Sequence, residues 1–220
     1  MNFLVKQGSF DSDVAPAAGW LAIRGLGVQR GGRTLFSGID RHLRPGSLLH
    51  VQGANGAGKT TFLETIAGLV LPPAGCVEWQ AGRYASPIEE APCYIGHDNA
   101  LHAALTPIEN LSWLMRLAGQ PVATALLCDV LAELGLSRLR RRRCARLSAG
   151  QKRRVSLARL WVTEARLWLL DEPAAGLDTV ARDQLAARVA AHAAAGGIVV
   201  YSTHEPLALG EVDVLDLDQC

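Results

Sequence analysis

Gly53-Ala54-Asn55-Gly56-Ala57-Gly58-Lys59-Thr60-Thr61 decides the fold, because it follows the apolar run Leu48-Leu49-His50-Val51-Gln52 and leads into a helix starting near Lys59. The pattern G-x-x-x-x-G-K-T is a phosphate-binding loop. Its glycines let successive backbone N–H groups converge on phosphate oxygens that side chains would obstruct. Lys59 adds a point charge for the β and γ phosphates, and the helix N-terminus adds its partial positive charge. Strand, loop and helix form one unit.

The loop is answered further along the chain by Leu147-Ser148-Ala149-Gly150-Gln151 and by Leu167-Trp168-Leu169-Leu170-Asp171-Glu172-Pro173. An L-S-x-G-Q pentapeptide ahead of an apolar strand ending in Asp-Glu is much narrower than a phosphate loop alone. Thr60 is placed to give its hydroxyl to Mg²⁺, an ion that takes few protein ligands and keeps water and phosphate oxygens. Asp171, at the strand end, is the matching carboxylate for the metal. Glu172 is the expected general base, since phosphoryl transfer to water needs an acceptor for the water proton. The plain alternative, a solvated acidic pair, is disfavoured by the apolar run before it and Pro173 after it.

Taken in order, these motifs resemble the ATP-binding-cassette (ABC) ATPases, from about Trp20 to the last strand. The resemblance implies an α/β fold, a P-loop NTPase of ABC type: a mixed sheet core with an antiparallel β edge and a helical subdomain inserted at about residues 100–162. It implies ATP and Mg²⁺ as cofactors, with Gly53, Ala54, Asn55, Gly56, Ala57, Gly58, Lys59, Thr60 and Thr61 at the nucleotide. His204, one strand and one helix after Asp171, matches the family's switch histidine, a γ-phosphate sensor, and joins Lys59 and Glu172 as a catalytic residue. Ala174-Ala175-Gly176-Leu177-Asp178 resembles the family's D-loop, whose Asp178 would reach across a dimer interface. In the family the turn formed by Ser148, Gly150 and Gln151 binds the γ phosphate held by the opposite subunit. The active unit is therefore expected to contain a second copy of the chain.

The sequence departs from the family pattern at three places. Ala149 stands where glycine is usual, which removes freedom at φ > 0. Asp98, in Gly96-His97-Asp98-Asn99, occupies the expected glutamine position, where it could still serve the metal. The aromatic that stacks on adenine is replaced by Arg30, whose guanidinium can stack on a flat ring; loose base specificity is the expectation.

Tyr94-Ile95-Gly96-His97, Leu105-Thr106-Pro107-Ile108-Glu109-Asn110-Leu111 and the L-S-A-G-Q variant with its following Arg-rich helix narrow the resemblance to the ATP-binding subunits of bacterial haem exporters used in cytochrome c maturation. That resemblance implies two copies docked on integral membrane subunits, peripherally, at the cytoplasmic face of the inner membrane. Two other readings stay open: a cassette of another exporter, for drugs, lipids or polysaccharide, and a soluble ABC ATPase acting on nucleic acid or ribosomes. A cassette that binds ATP without turnover is undercut by intact Lys59, Asp171, Glu172 and His204.

Bulk properties fit one cassette. The 220 residues suit a single domain, 20–220, behind a loose leader at 1–19. A formal net charge of +1 creates no field that argues for nucleic acid, and no nucleic-acid partner is expected. Five cysteines without a C-x-x-C pair read as free thiols. No stretch has the length and apolarity of a signal sequence or membrane span. The arginines of Arg138–Arg146 read as a solvated basic face, or as a contact for membrane subunits or anionic headgroups. Without interleaved aromatics they argue little for nucleic acid.

Overall fold

The structure, a computed structural model, describes residues 19–81, 91–205 and 207–220. Apart from Gly19, the expected leader lies outside them. In chain order the strands are β1 (Trp20–Arg30), β2 (Arg33–Leu43), β3 (Leu48–Gln52), β4 (Ala74–Gln80), β5 (Cys93–Ile95), β6 (Leu167–Asp171), β7 (Ile198–Ser202) and β8 (Asp213–Asp216). The helices are α1 (Lys59–Ile66), α2 (Pro107–Leu117), α3 (Thr124–Glu133), α4 (Ala149–Leu157) and α5 (Thr179–Ala194). Three strands form an antiparallel sheet in the order β2-β1-β4, and five form a parallel sheet in the order β5-β6-β7-β3-β8. The P-loop NTPase architecture expected from the motifs is present, with its antiparallel part as a sheet of its own.

β1 runs for eleven residues, from Trp20 to Arg30. Its pairing with β2 shifts register between Ile23 and Leu26 and again before Val28, and Gly25 sits at φ +53°. Such irregularities break the period-two alternation by which a strand is recognised, so the buried Leu26 and Val28 do not read as its continuation. Arg30 and Arg33 then pair across Gly31 and Gly32, at φ +60° and +76°. Two left-handed residues let a tight hairpin follow the twist of its strands. The turn sets Arg30 at the tip.

β6 and β7 are buried along their whole length, as central parallel strands covered on both faces must be. Alternation divides their side chains between two cores. Leu167, Leu169, Ile198 and Val200 pack with Phe36, Phe62 and Leu63; Trp168, Leu170, Val199 and Tyr201 pack with Leu185 and Val189 of α5. A third core, including Leu111, Leu127, Leu131, Leu147 and Val155, gathers α2, α3 and α4. The helical subdomain expected at about residues 100–162 is thus three helices joined through 3-10 turns, among them Ser137–Leu139 and Cys144–Arg146. α2 starts at a capping box: the Thr106 hydroxyl accepts the Glu109 N–H at 3.3 Å, and the Glu109 carboxylate accepts the Thr106 N–H at 2.8 Å.

Trp168 is fully buried and stacks on His192 with centroids 3.7 Å apart. His192 Nε2 donates to the Arg166 carbonyl at 3.1 Å, and Gly197 lies so close that any side chain there would strike the imidazole. Burial pulls the His192 pKa down to about 4; Arg188 and Arg166 push the same way, against the hydrogen bond to Arg166. The native ring is therefore neutral where the unfolded one, near pH 6.5, takes up a proton. Its stabilisation is complete above about pH 6.5 and is lost progressively as pH falls toward 4. Melting temperatures recorded across that window should fall less steeply for His192→Phe, which keeps the stack and removes the titration, than for the parent chain.

Candidate functional site

The C-terminal ends of β3, β6 and β7 lie side by side, since Val51 and Asp171 are both in register with Ser202. Ligand sites of open α/β sheets form at such carboxyl edges. A cleft of about 490 Å³ opens there, lined by Arg30, Leu35, Asn55, Gly56, Gly58, Lys59, Thr60, Thr61, His97, Asp171, Glu172 and His204.

The loop after β3 takes its shape from glycines in the left-handed region. Gly58 has φ +105°, and a β-carbon there would stand 3.1 Å from the Phe36 ring and 3.2 Å from Leu35. The loop is thereby closed against β2. Lys59 Nζ donates to the carbonyls of Gly53 at 2.7 Å and Ala54 at 3.1 Å. The outer limb is tied to the chain's end: Asp218 Oδ2 accepts the Ala54 N–H at 2.7 Å. Sequence reasoning did not anticipate Asp218, because nothing in its surroundings marks it.

Asp171 is 2% exposed. Its Oδ2 accepts the Thr60 hydroxyl at 2.7 Å and its Oδ1 the Ser202 hydroxyl at 2.6 Å. Glu172, at φ +48°, donates its N–H to Ser202 O at 3.1 Å and accepts the His204 N–H on Oε2 at 3.1 Å. Its Oε1 is buried with no hydrogen-bond partner among the described residues and faces His204 Nε2 at 3.6 Å. His204 Nε2 in turn donates to Asn55 Oδ1 at 3.1 Å, linking the end of β7 to the phosphate loop. The cleft therefore combines a cationic, N–H-rich cradle with two hard oxygen donors and one carboxylate oxygen free to take a proton.

Other expected residues fall outside this cleft. On the loop after β5 it is His97, not Asp98, that lines the cavity. β5 ends at Ile95, and the chain turns at once, which sets His97 toward the cavity and leaves Asp98 outside its lining. Ser148, Gly150 and Gln151 belong to the start of α4, where the Ser148 hydroxyl accepts the Gln151 N–H at 3.2 Å and Gln151 Oε1 accepts the Ser148 N–H at 3.0 Å. Asp178 is not brought to the cleft of its own chain either. It caps α5, taking the Ala181 N–H at 2.9 Å, and lies 3.6 Å from Arg154.

Comparison with known proteins agrees with this geometry. The family model described as "ABC transporter" matches residues 36–175. The chain is 42% identical over 190 residues to the "Cytochrome c biogenesis ATP-binding export protein CcmA" of Rhodopseudomonas palustris (strain HaA2), covering 86% of this chain and 94% of that one. The protein of the same name from Escherichia coli O157:H7 is 41% identical, with 88% and 93% covered. A solved ABC transporter ATP-binding protein from Pyrococcus furiosus superposes with a TM-score of 0.77 over 91% of this chain and 98% of that one, at 23% identity, and so shares the fold. A second structure, of an "ATP binding subunit of ABC transporter", gives a TM-score of 0.72 at 28% identity, covering 84% and 79%. No helix among the described residues is long and apolar enough to cross a membrane.

The turn at Ser148 is packed tightly against the one before α5: a β-carbon on Gly150 would stand 2.6 Å from the Gly176 carbonyl oxygen. Gly150→Ala must push the two turns apart, and overpacking of this kind costs about 1–3 kcal/mol. A denaturant titration should show the loss; an unchanged midpoint would mean that the turns separate freely.

Proposed function

Since this chain belongs to the ABC transporter family, as an ATP-hydrolysing subunit, we propose that it powers haem export for cytochrome c biogenesis as one of two identical cassettes. The cassettes would dock peripherally, through the helical block at about 100–162, on integral membrane subunits at the cytoplasmic face of the inner membrane. The process is suggested by the shared name of relatives that match most of the chain at 41–42% identity. The chemistry is supported above all by Glu172, which lines the cleft with one carboxylate oxygen buried without a hydrogen-bond partner, 3.6 Å from His204.

The residues fit Mg²⁺. Thr60 and Asp171 present oxygen donors at one point of the cleft, 2.7 Å apart, and Mg²⁺ favours one or two protein oxygens with phosphate and water completing its shell. When bound, the ion would neutralise charge on the phosphates. Lys59 exchanges the carbonyls of Gly53 and Ala54 for phosphate oxygens, which are charged and so stronger acceptors. The α1 N-terminus and the loop N–H groups hold the remaining phosphate oxygens. Glu172 orients the attacking water and takes its proton, while His204 lies within reach of the γ phosphate. Arg30 stacks on the base from the hairpin tip. Ser148, Gly150 and Gln151 serve the nucleotide of the second copy.

Three measurements test these roles. Lys59→Ala should weaken ATP binding, whereas Glu172→Gln should bind ATP normally, lower kcat by about 10²–10⁴ and accumulate as a closed dimer on a sizing column. Turnover of Glu172→Gln at the parent rate would remove the general base. A Ser148→Arg chain mixed with a Lys59→Ala chain should regain activity that neither has alone, because one composite site is intact; no recovery argues against the two-cassette arrangement. Isolation of the chain from its native membrane in mild detergent with ATP should bring down cytochrome c maturation membrane subunits. Recovery with a different permease would keep the ATPase and replace the cargo.

A further inference from the structure

Arg153, on the helix that Ser148 caps, is 4% exposed. Its donors go chiefly to backbone. Nη2 reaches the carbonyls of Asp171 at 2.8 Å and Glu172 at 2.9 Å, and Nε that of Pro173 at 3.2 Å. Nη1 donates to Gly96 O at 2.9 Å and to Asn99 Oδ1 at 3.4 Å. Three consecutive carbonyls of the turn that carries Glu172 thus converge on one planar fork. Glu172 itself is held at φ +48°, a left-handed conformation that is strained for a residue with a side chain and persists only where the surroundings impose it. Ser202 restrains the Glu172 N–H from one side, and Arg153 restrains its carbonyl from the other.

We propose that Arg153 is a positioning residue for ATP hydrolysis: it fixes the strained turn that aims the Glu172 carboxylate into the cleft, and it ties that aim to the signature helix α4 and to the loop carrying His97. The proposal rests on the reading of Glu172 as proton acceptor. Burial is the main reason the guanidinium pKa falls to about 10, with the Asp171 carboxylate the chief influence holding it up. The group thus stays charged at neutral pH, where it donates along the whole fork. Lysine offers one point charge and cannot span carbonyls that a rigid guanidinium reaches together. Arg153 thus joins α4 directly to the carbonyls on either side of Glu172, beside the more distant contacts of Gly150 with Gly176 and Arg154 with Asp178.

The test compares Arg153→Lys and Arg153→Gln in the full chain, measuring melting temperature, ATP Kd by equilibrium titration, and kcat and KM. Displacement of a reacting group by about 1 Å can cost on the order of 100-fold. We expect kcat to fall by about 10- to 100-fold in folded variants, while the ATP Kd stays within about twofold, because Arg153 touches no part of the phosphate cradle. Parent-like kcat in either folded variant overturns the proposal. So does a fall in kcat matched by an equal loss of binding, or failure of both variants to fold, which would make Arg153 a structural staple only. Glu172→Gln assayed alongside separates the two readings. If it retains the parent kcat, the role of Glu172 fails. If it is inactive beside a fully active Arg153→Lys, only the positioning role fails.

Discussion

The carboxylate of Asp171 sits almost out of reach of water at the end of the most deeply buried strand, and a charge in that position must be paired from within the protein. It is paired twice, by hydroxyls of Thr60 and Ser202 at 2.7 and 2.6 Å. Bonds from hydroxyls to an ionised carboxylate are among the stronger hydrogen bonds a protein makes. One donor lies in the first turn of α1 and the other at the end of β7. A single side chain therefore sets the distance from phosphate loop to sheet and the register of β6 on β7. A one-residue slip of β7 would turn Ser202 to the opposite face, leaving Asp171 Oδ1 buried and unpaired. The remaining cleft residues are placed by these two bonds: Lys59 adjoins Thr60, Glu172 follows Asp171, and His204 lies two residues beyond Ser202.

That dependence explains what could be read from the chain before its structure. Lys59, Thr60, Asp171, Glu172 and His204 each stand in a local pattern of strand end, glycine loop or apolar run, and local patterns survive in a linear sequence. Ser202, Arg153 and Asp218 act across gaps of 31, 18 and 164 residues. A serine closing an apolar strand or an arginine within a basic helix has an ordinary surface reading that nothing nearby contradicts. The antiparallel sheet was half legible for a different reason. β2, with Phe36, Ile39 and Leu43 buried, keeps a legible apolar pattern, but the bulge near Gly25 hides the second half of β1 by breaking its period.

Among the described residues that line the cleft, some polar groups are already hydrogen-bonded within the protein, and one buried side-chain atom, Glu172 Oε1, is not. Lys59 is bonded to two loop carbonyls, and Ala54 N–H to Asp218. A ligand therefore exchanges bonds with the loop, and its affinity is the difference between charged and neutral acceptors, a modest net gain per bond. Glu172 Oε1 has no hydrogen bond to exchange, being buried with only His204 Nε2 near it, at 3.6 Å. The cost of desolvating it is met during folding by a turn that is itself strained at φ +48°. That cost would otherwise fall on the reaction: an acceptor stripped in advance takes a proton without first reorganising its surroundings, which is how preorganised sites lower barriers. The stabilisation that offsets both strain and desolvation has to come from nearby, and the three carbonyl bonds to Arg153 together with the two hydroxyl bonds to Asp171 are its largest visible source.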